Sequence, residues 1–222
     1  MVGKATIDPK TDGFWVQPCG KEVDRMPPPS WKQLQEILGD SARRFRVMAF
    51  EVHYLMRKWI SEKYGPQISR KYEDLYKESL LDWLPTPART KDPLPTIGEV
   101  YRDTYTDLQK FCVFLEQCII DHKNAPEDIG SFAWFQSIAD SLQQLLCYLA
   151  TVMSALKVTP NPPVKRDIMK DRDRNPARPP DQIIIRDFIG MQQLWNYLSM
   201  KQDFFSNLRD HRSKAPATLE KD

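Results

Sequence analysis

Residues 158–180, VTPNPPVKRDIMKDRDRNPARPP, decide how this chain folds. Pro160, Pro162, Pro163, Pro176, Pro179 and Pro180 stand in this stretch, so it reads as a long connection. Segments with helical apolar period lie on either side. The segment before it, 131–157, carries Phe132, Phe135, Ile138, Leu142, Leu145, Leu149, Val152 and Leu156. Asp140 is the one charge in its interior, so it is expected to be the most buried helix. The segment after it, 182–211, carries Phe188, Met191, Leu194, Trp195, Leu198, Phe205 and Leu208. A connection of this length crosses the whole length of a helix, because a helix rises only about 1.5 Å per residue.

Working outward, two more helical segments precede these. The first, 30–63, follows Pro27, Pro28 and Pro29; Ser30 with Gln33 three residues on forms a capping box. Its stripe is Trp31, Leu34, Leu38, Ala42, Phe45, Met48, Val52, Leu55, Met56 and Trp59. The second, 97–122, follows a capping box at Thr96 and Glu99, with the stripe Ile97, Tyr101, Leu108, Phe111, Leu115 and Ile119. The gap 64–96 between the first and second is long, and the gap 123–130 between the second and third is short. Long, short, long predicts an all-α four-helix bundle of long-chain type, up-up-down-down, with two long crossover loops. A short extra helix is expected at 68–83 in the first crossover, with Tyr72, Leu75, Leu80 and Trp83 covering the bundle edge. The chain then divides into an N-terminal arm, 1–29, the bundle, 30–212, and a flexible tail, 213–222.

Composition agrees with a helical reading. Only 8 of 222 residues are Gly, against 18 Pro, which disfavours β-sandwiches and the glycine-rich loops of α/β nucleotide folds. A net charge of +2 disfavours nucleic acid and acidic membrane surfaces as partners. The longest weakly charged stretch, 141–156, is too short and polar to insert in a bilayer. The opening residues MVGKATIDPKTDGFW have no apolar leader core, so the chain is expected either to be cytosolic at synthesis or to have lost its leader.

Catalysis is not expected. His53, His122 and His211 fall in no Glu-x-x-His or His-Glu-x-x-His pattern, and no nucleophile elbow or phosphate loop occurs. No zinc spacing such as Cys-x-x-Cys is present, and no cofactor is expected. The off-stripe positions are more informative. The back of the first helix reads Arg43, Val47, Phe50, Tyr54, Arg57, a basic and aromatic stripe of the composition enriched in interfaces. The third helix offers Trp134, Ser137, Ser141, Gln144 and Tyr148, with Trp134 read as core; the fourth offers Ile189, Gln193, Tyr197, Met200 and Phe204.

Residues 186–214, RDFIGMQQLWNYLSMKQDFFSNLRDHRSK, resemble the last helix of the interleukin-6-type long-chain helical cytokines, closest to the cardiotrophin-like cytokine and ciliary neurotrophic factor branch. Asp187 and Phe188 match its Asp-Phe entry, Leu194 and Leu198 its leucine pair around an aromatic, and Phe205 and Leu208 its Phe-x-x-Leu exit. Tyr64, Gly65 and Pro66 resemble the exit from the first helix of the same group. The resemblance implies an extracellular, secreted cytokine, with release without a leader also open, that binds as a monomer and assembles class I cytokine receptor ectodomains. Arg43, Phe50, Tyr54, Arg57, Gln144 and Tyr148 would meet a shared signal-transducing receptor, and Phe204, Arg209 and Arg212 a ligand-specific one. One departure stands out: the Phe-x-x-Lys motif used toward the leukaemia-inhibitory-factor receptor is replaced by Asp181 and Ile184. The run Ile183, Ile184, Ile185 would offer a different apolar tip. The alternative function is an intracellular helical-bundle adaptor or scaffold that binds a partner protein.

Cys112 and Cys118 lie about 9 Å apart along one helix, beyond the ~7 Å reach of a bridge. A Cys19–Cys147 disulfide is the first choice, since both ends meet at one end of such a bundle, and the resemblance implies the same arm-to-third-helix bridge. The alternative, four reduced thiols in a cytosolic protein, stays open at this point. No Asn-x-Ser/Thr sequon is present.

Overall fold

Helix ends in this protein are written into short polar side chains. Ser30 Oγ accepts from the Gln33 N–H at 3.4 Å while Gln33 Oε1 accepts from the Ser30 N–H at 2.8 Å, and helix α1, Trp31–Tyr64, starts there. Gly65, with φ 79°, closes it through a bond from its N–H to Ser61 O. Thr96 and Glu99 make the equivalent exchange before α2, Ile97–Lys123. Helix α3 is Ile129–Ala155, α4 is the single turn Asp171–Arg174, and α5 is Pro180–Ser213. A 3-10 turn, Arg166–Ile168, lies between α3 and α4. This computed structural model describes residues 13–20, 23, 26–65, 80–86, 95–123, 129–175 and 178–213, and all regular structure among them is helical. The protein is all-α, and the four long helices fall within two residues of the expected bounds.

Side-chain pairs fix the relative directions of the helices. Trp59 Nε1 donates to Ser131 Oγ at 2.9 Å, Ser141 to Glu51 at 3.0 Å and Tyr148 to Ile37 O at 3.1 Å, so α1 and α3 run in opposite senses. Phe205 stacks on Phe45 at 5.4 Å and Trp195 on His53 at 4.5 Å, which makes α5 antiparallel to α1. Tyr197 donates to Asp107 at 3.0 Å and His122 meets Asp187 at 2.8 Å, so α5 also opposes α2. Ser41 with Tyr101 and Trp59 with His122 show α1 and α2 pointing the same way.

Helix α2, rather than α3 as expected, is the most thoroughly buried, with an unbroken buried run from Phe111 to Glu116. The reason is the connection from α3 to α5, which lies along its outer side. Val164 N–H donates to Gln109 at 2.9 Å, Arg102 to Thr159 O at 3.0 Å, and Arg166 forks onto Glu116 at 2.5 and 2.7 Å. That fork is charge-assisted and bidentate, the geometry in which an Arg–carboxylate pair is strongest.

One sequence expectation changes here. The extra helix at 68–83 falls mostly on 66–79, outside the described residues; its end, Leu80 to Trp83, is not helical. Leu81 to Leu84 form a turn closed by Leu84 N–H to Leu81 O at 3.0 Å. Trp83 is buried as expected, while Leu80 is exposed. The N-terminal arm is also more than a tether. Trp15 is 1% exposed, its Nε1 donates to Val164 O at 2.8 Å, and the Arg166 guanidinium lies 5.5 Å from its ring centre. A disulfide joins Cys19 to Cys147, as the sequence reading expected, and Cys112 and Cys118 are free and buried.

Gly190 lets α5 approach α2. A Cβ there would stand 2.3 Å from the buried Phe114 ring. Gly190→Ala is therefore expected to destabilise by about 1–3 kcal/mol from overpacking, despite the ~1 kcal/mol that Ala gains over Gly in a helix. Urea denaturation of the variant measures the balance; an equal or raised midpoint would show that the Phe114 ring moves aside freely.

Candidate functional site

The inward side of α1 is Phe45, Met48, Val52, Met56 and Trp59, all buried. With 3.6 residues per turn the opposite side must carry Arg43, Val47, Phe50, Tyr54 and Arg57. All five face solvent, and Phe50 is 72% exposed, Val47 62% and Tyr54 54%. Three large apolar side chains on one uncovered face contrast with the other large hydrophobes described on this helix, which are buried or half-buried apart from Trp31 at its start. Arg57 Nε lies 3.5 Å from His53 Nε2, and His53 in turn stacks on Trp195, so this end of the face is held in place by α5.

The partners expected from α3 and α5 divide. Gln144 is exposed, beside the Ser137 and Ser141 hydroxyls that both reach Glu51. Tyr148 is half-buried. Its hydroxyl bonds Ser41 and Ile37 O, and Arg44 caps its ring at 4.3 Å. Its polar end is turned inward to tie α3 to α1, so the expectation of an outward-facing Tyr148 is corrected. Trp134 is half-buried against the core, as expected, with Lys58 6.0 Å from its ring centre.

On α5, Ile189, Gln193 and Tyr197 are buried rather than on the outer surface. This helix is enclosed by α1, α2 and the Leu81 turn, so its apolar arc is nearly complete. Gln193 holds that turn with both ends of its amide, accepting from Leu81 N–H at 2.9 Å and donating to Leu81 O at 3.2 Å. Phe204 is half-buried, edge-on to Phe205 at 6.1 Å. Ile184 and Ile185 also rest half-buried against the core, so the exposed apolar tip expected of them is corrected. Arg209 is exposed; the side chain of Arg212 lies outside the described residues.

The tertiary structure brings Arg43 and Arg209 together, although the sequence assigned them to different faces. Both line a groove of about 780 Å³ between α1 and α5, with Lys32, Glu36, Asp40 and Arg46. Gly39 lies on its floor, with the Arg209 side chain 3.6 Å from where a Cβ would stand.

A second feature is buried and was missed. His122 Nε2 meets Asp187 Oδ2 at 2.8 Å, Cys118 Sγ donates to Asp187 Oδ1 at 3.3 Å, and Arg186 pairs with both Asp187 and Asp121, the latter at 2.8 Å. Arg186 also donates to Asp173 O at 2.8 Å, while Asp173 accepts from Trp83 Nε1 at 3.0 Å and from Arg178 at 3.2 Å. Burial alone would raise the Asp187 carboxyl, but the Arg186 guanidinium and His122 outweigh it and hold it below its ordinary value. Burial pushes the Cys118 thiol well up, and that thiol donates to a carboxylate instead of to the imidazole. This is the environment of an inert structural cysteine. The sequence signal was available in a charged pair, Arg186 and Asp187, directly before the apolar stripe of α5.

No family model matches the chain, and neither curated proteins nor solved structures include a significant match to it.

Proposed function

We propose that this protein is a secreted helical cytokine of interleukin-6 type that binds and assembles class I cytokine receptors. The observation that carries the reading is the Val47, Phe50, Tyr54 face of α1, flanked by Arg43 and Arg57 and covered by no other described element. Aromatic and arginine side chains on an uncovered helix face are the material of interface hot spots. The directions of the long helices support the finer fold reading, an up-up-down-down long-chain bundle with two crossovers. The Cys19–Cys147 bridge fits an oxidising compartment, and no helix among the described residues is long and apolar enough to cross a membrane.

In this reading the chain performs no chemistry. It holds receptor chains side by side through separate faces, so that the second binding event is intramolecular. The α1 face with Gln144 engages the shared receptor, and Arg209, Arg212 and Phe204 the ligand-specific one. Tyr148 contributes by fixing α3 against α1, and Arg43 borders both faces.

The test is binding to a panel of class I receptor ectodomains. Phe50→Ala and Tyr54→Ala are each expected to weaken one receptor by about 2 kcal/mol, roughly 30-fold, at unchanged thermal stability. Arg209→Ala weakens a different receptor. Equal weakening of a single partner by both sets would sink the separate-face reading, and absence of any ectodomain binding would favour the adaptor alternative.

A further inference from the structure

Residues 159–163, Thr-Pro-Asn-Pro-Pro, lie on the α3-to-α5 connection, where it runs along the outer side of α2. All of them are exposed, and none is in regular secondary structure. Thr159, Asn161 and Pro162 each precede a proline, whose ring keeps the residue before it out of the helical region, so the run is extended. Three bonds hold it on α2. Arg102 donates to Thr159 O at 3.0 Å, Asn161 Nδ2 to Thr106 Oγ1 at 3.1 Å, and the Val164 N–H to Gln109 at 2.9 Å. None of them engages the Thr159 hydroxyl, which has no partner among the described residues.

Other described threonines differ. The Thr96 hydroxyl is taken up by Glu99, Thr106 donates to Arg102 O and Thr151 to Cys147 O, each at 3.0 Å, and Thr104 is buried. Thr86 is exposed and also precedes a proline, but 87–94 lie outside the described residues. Thr159 thus combines exposure, an unengaged hydroxyl and a described proline run directly after it.

We propose that Thr159 is an O-glycosylation site that accepts N-acetylgalactosamine from a uridine diphosphate sugar. A transferase must bind its acceptor as an extended chain, and a proline run already has that shape, so little ordering entropy is lost on binding. Threonine among prolines is the composition of O-glycosylated segments. In the step, Thr159 Oγ forms a bond to the anomeric carbon of the sugar. The bond from that carbon to the diphosphate breaks, uridine diphosphate leaves with the electron pair, and the hydroxyl proton passes to solvent. The proposal rests on the secretory part of the reading above, which the Cys19–Cys147 bridge supports, and does not rest on receptor binding.

The experiment secretes the full chain from cultured animal cells behind a cleavable leader. Its intact mass is compared with that of the same chain made in a bacterial periplasm, which lacks these transferases. With no Asn-x-Ser/Thr sequon present, an N-acetylhexosamine gained in secretion is O-linked. The expected result is such a gain, mapped to Thr159 by fragmentation that preserves the sugar. Thr159→Ala loses it, and Thr159→Ser retains part of it. Because Thr159 is exposed and Arg102 bonds only its backbone oxygen, both variants are expected to melt as the unaltered chain does. A secreted chain with Thr159 unmodified overturns the proposal, as does a phosphate at Thr159 or a sugar confined to another residue such as Thr86. The supplied leader makes these outcomes independent of the cytokine reading, which stands or falls on the ectodomain panel.

Discussion

Replacing Cys19 and Cys147 together by Ser is expected to lower the free energy of unfolding by about 2–5 kcal/mol. The bridge closes a loop across a sequence separation of 128 residues, and a chain-entropy estimate for a loop of that size is about 5 kcal/mol. Measured losses are commonly smaller, hence the range. The bridge also anchors the segment that carries Trp15, whose ring is buried against Val164 and Arg166 on the α3-to-α5 connection. Loss of the bridge therefore loosens the arm and that connection together. Urea denaturation at fixed slope measures the total, and adding a reductant to the unaltered chain should reproduce it. If hydrogen exchange instead shows protection lost only at 13–20, with the global midpoint unmoved, the bridge holds the arm and nothing more.

Asp187→Asn is expected to cost about 3–5 kcal/mol, the usual consequence of removing one partner from a buried ion pair. The carboxylate is fully enclosed and serves three groups at once, His122, Cys118 and Arg186. An amide of the same shape has no charge to offer Arg186, which then keeps only Asp121 as a carboxylate partner. The pH dependence has a definite sign. The folded carboxyl titrates below its ordinary value of 3.8, so the unfolded chain takes up the proton first as pH falls. The stability that Asp187 contributes is complete above the ordinary value and disappears as pH drops through the lower, folded one. The unaltered protein should therefore lose stability below about pH 4 more steeply than Asp187→Asn. Parallel acid profiles for the two, or a loss under about 1 kcal/mol at neutral pH, would show that the cluster does not depend on this charge.

The resemblance rested in part on Asp187 and Phe188, and their place in the structure gives them a physical role. Both are buried where α5 begins, and Asp187 ties α5 to α2. A helix entry of this kind is a packing device, which is why it was visible as a pattern but silent about partners. The α1 face was visible for a related reason. A periodicity of 3.6 residues assigns two sides to a helix, and Phe50 and Tyr54 fall opposite the stripe that must be buried.

What periodicity leaves open is whether the far side of a helix meets solvent or a neighbour. For α5 it meets neighbours, so Ile189, Gln193 and Tyr197 are interior although their spacing matched that of Phe50. Local sequence alone determined the four long helices, their caps, the helical class and the exclusion of a Cys112–Cys118 bridge, because each depends on interactions spanning a few residues or on simple reach. Only the tertiary structure decided that Tyr148 turns inward, that α2 is the most enclosed helix, and that Arg43 and Arg209 share one groove. Those outcomes depend on which helices become neighbours and how closely they approach, as at Gly190 against Phe114, and that is a property of the packed chain, not of any one segment.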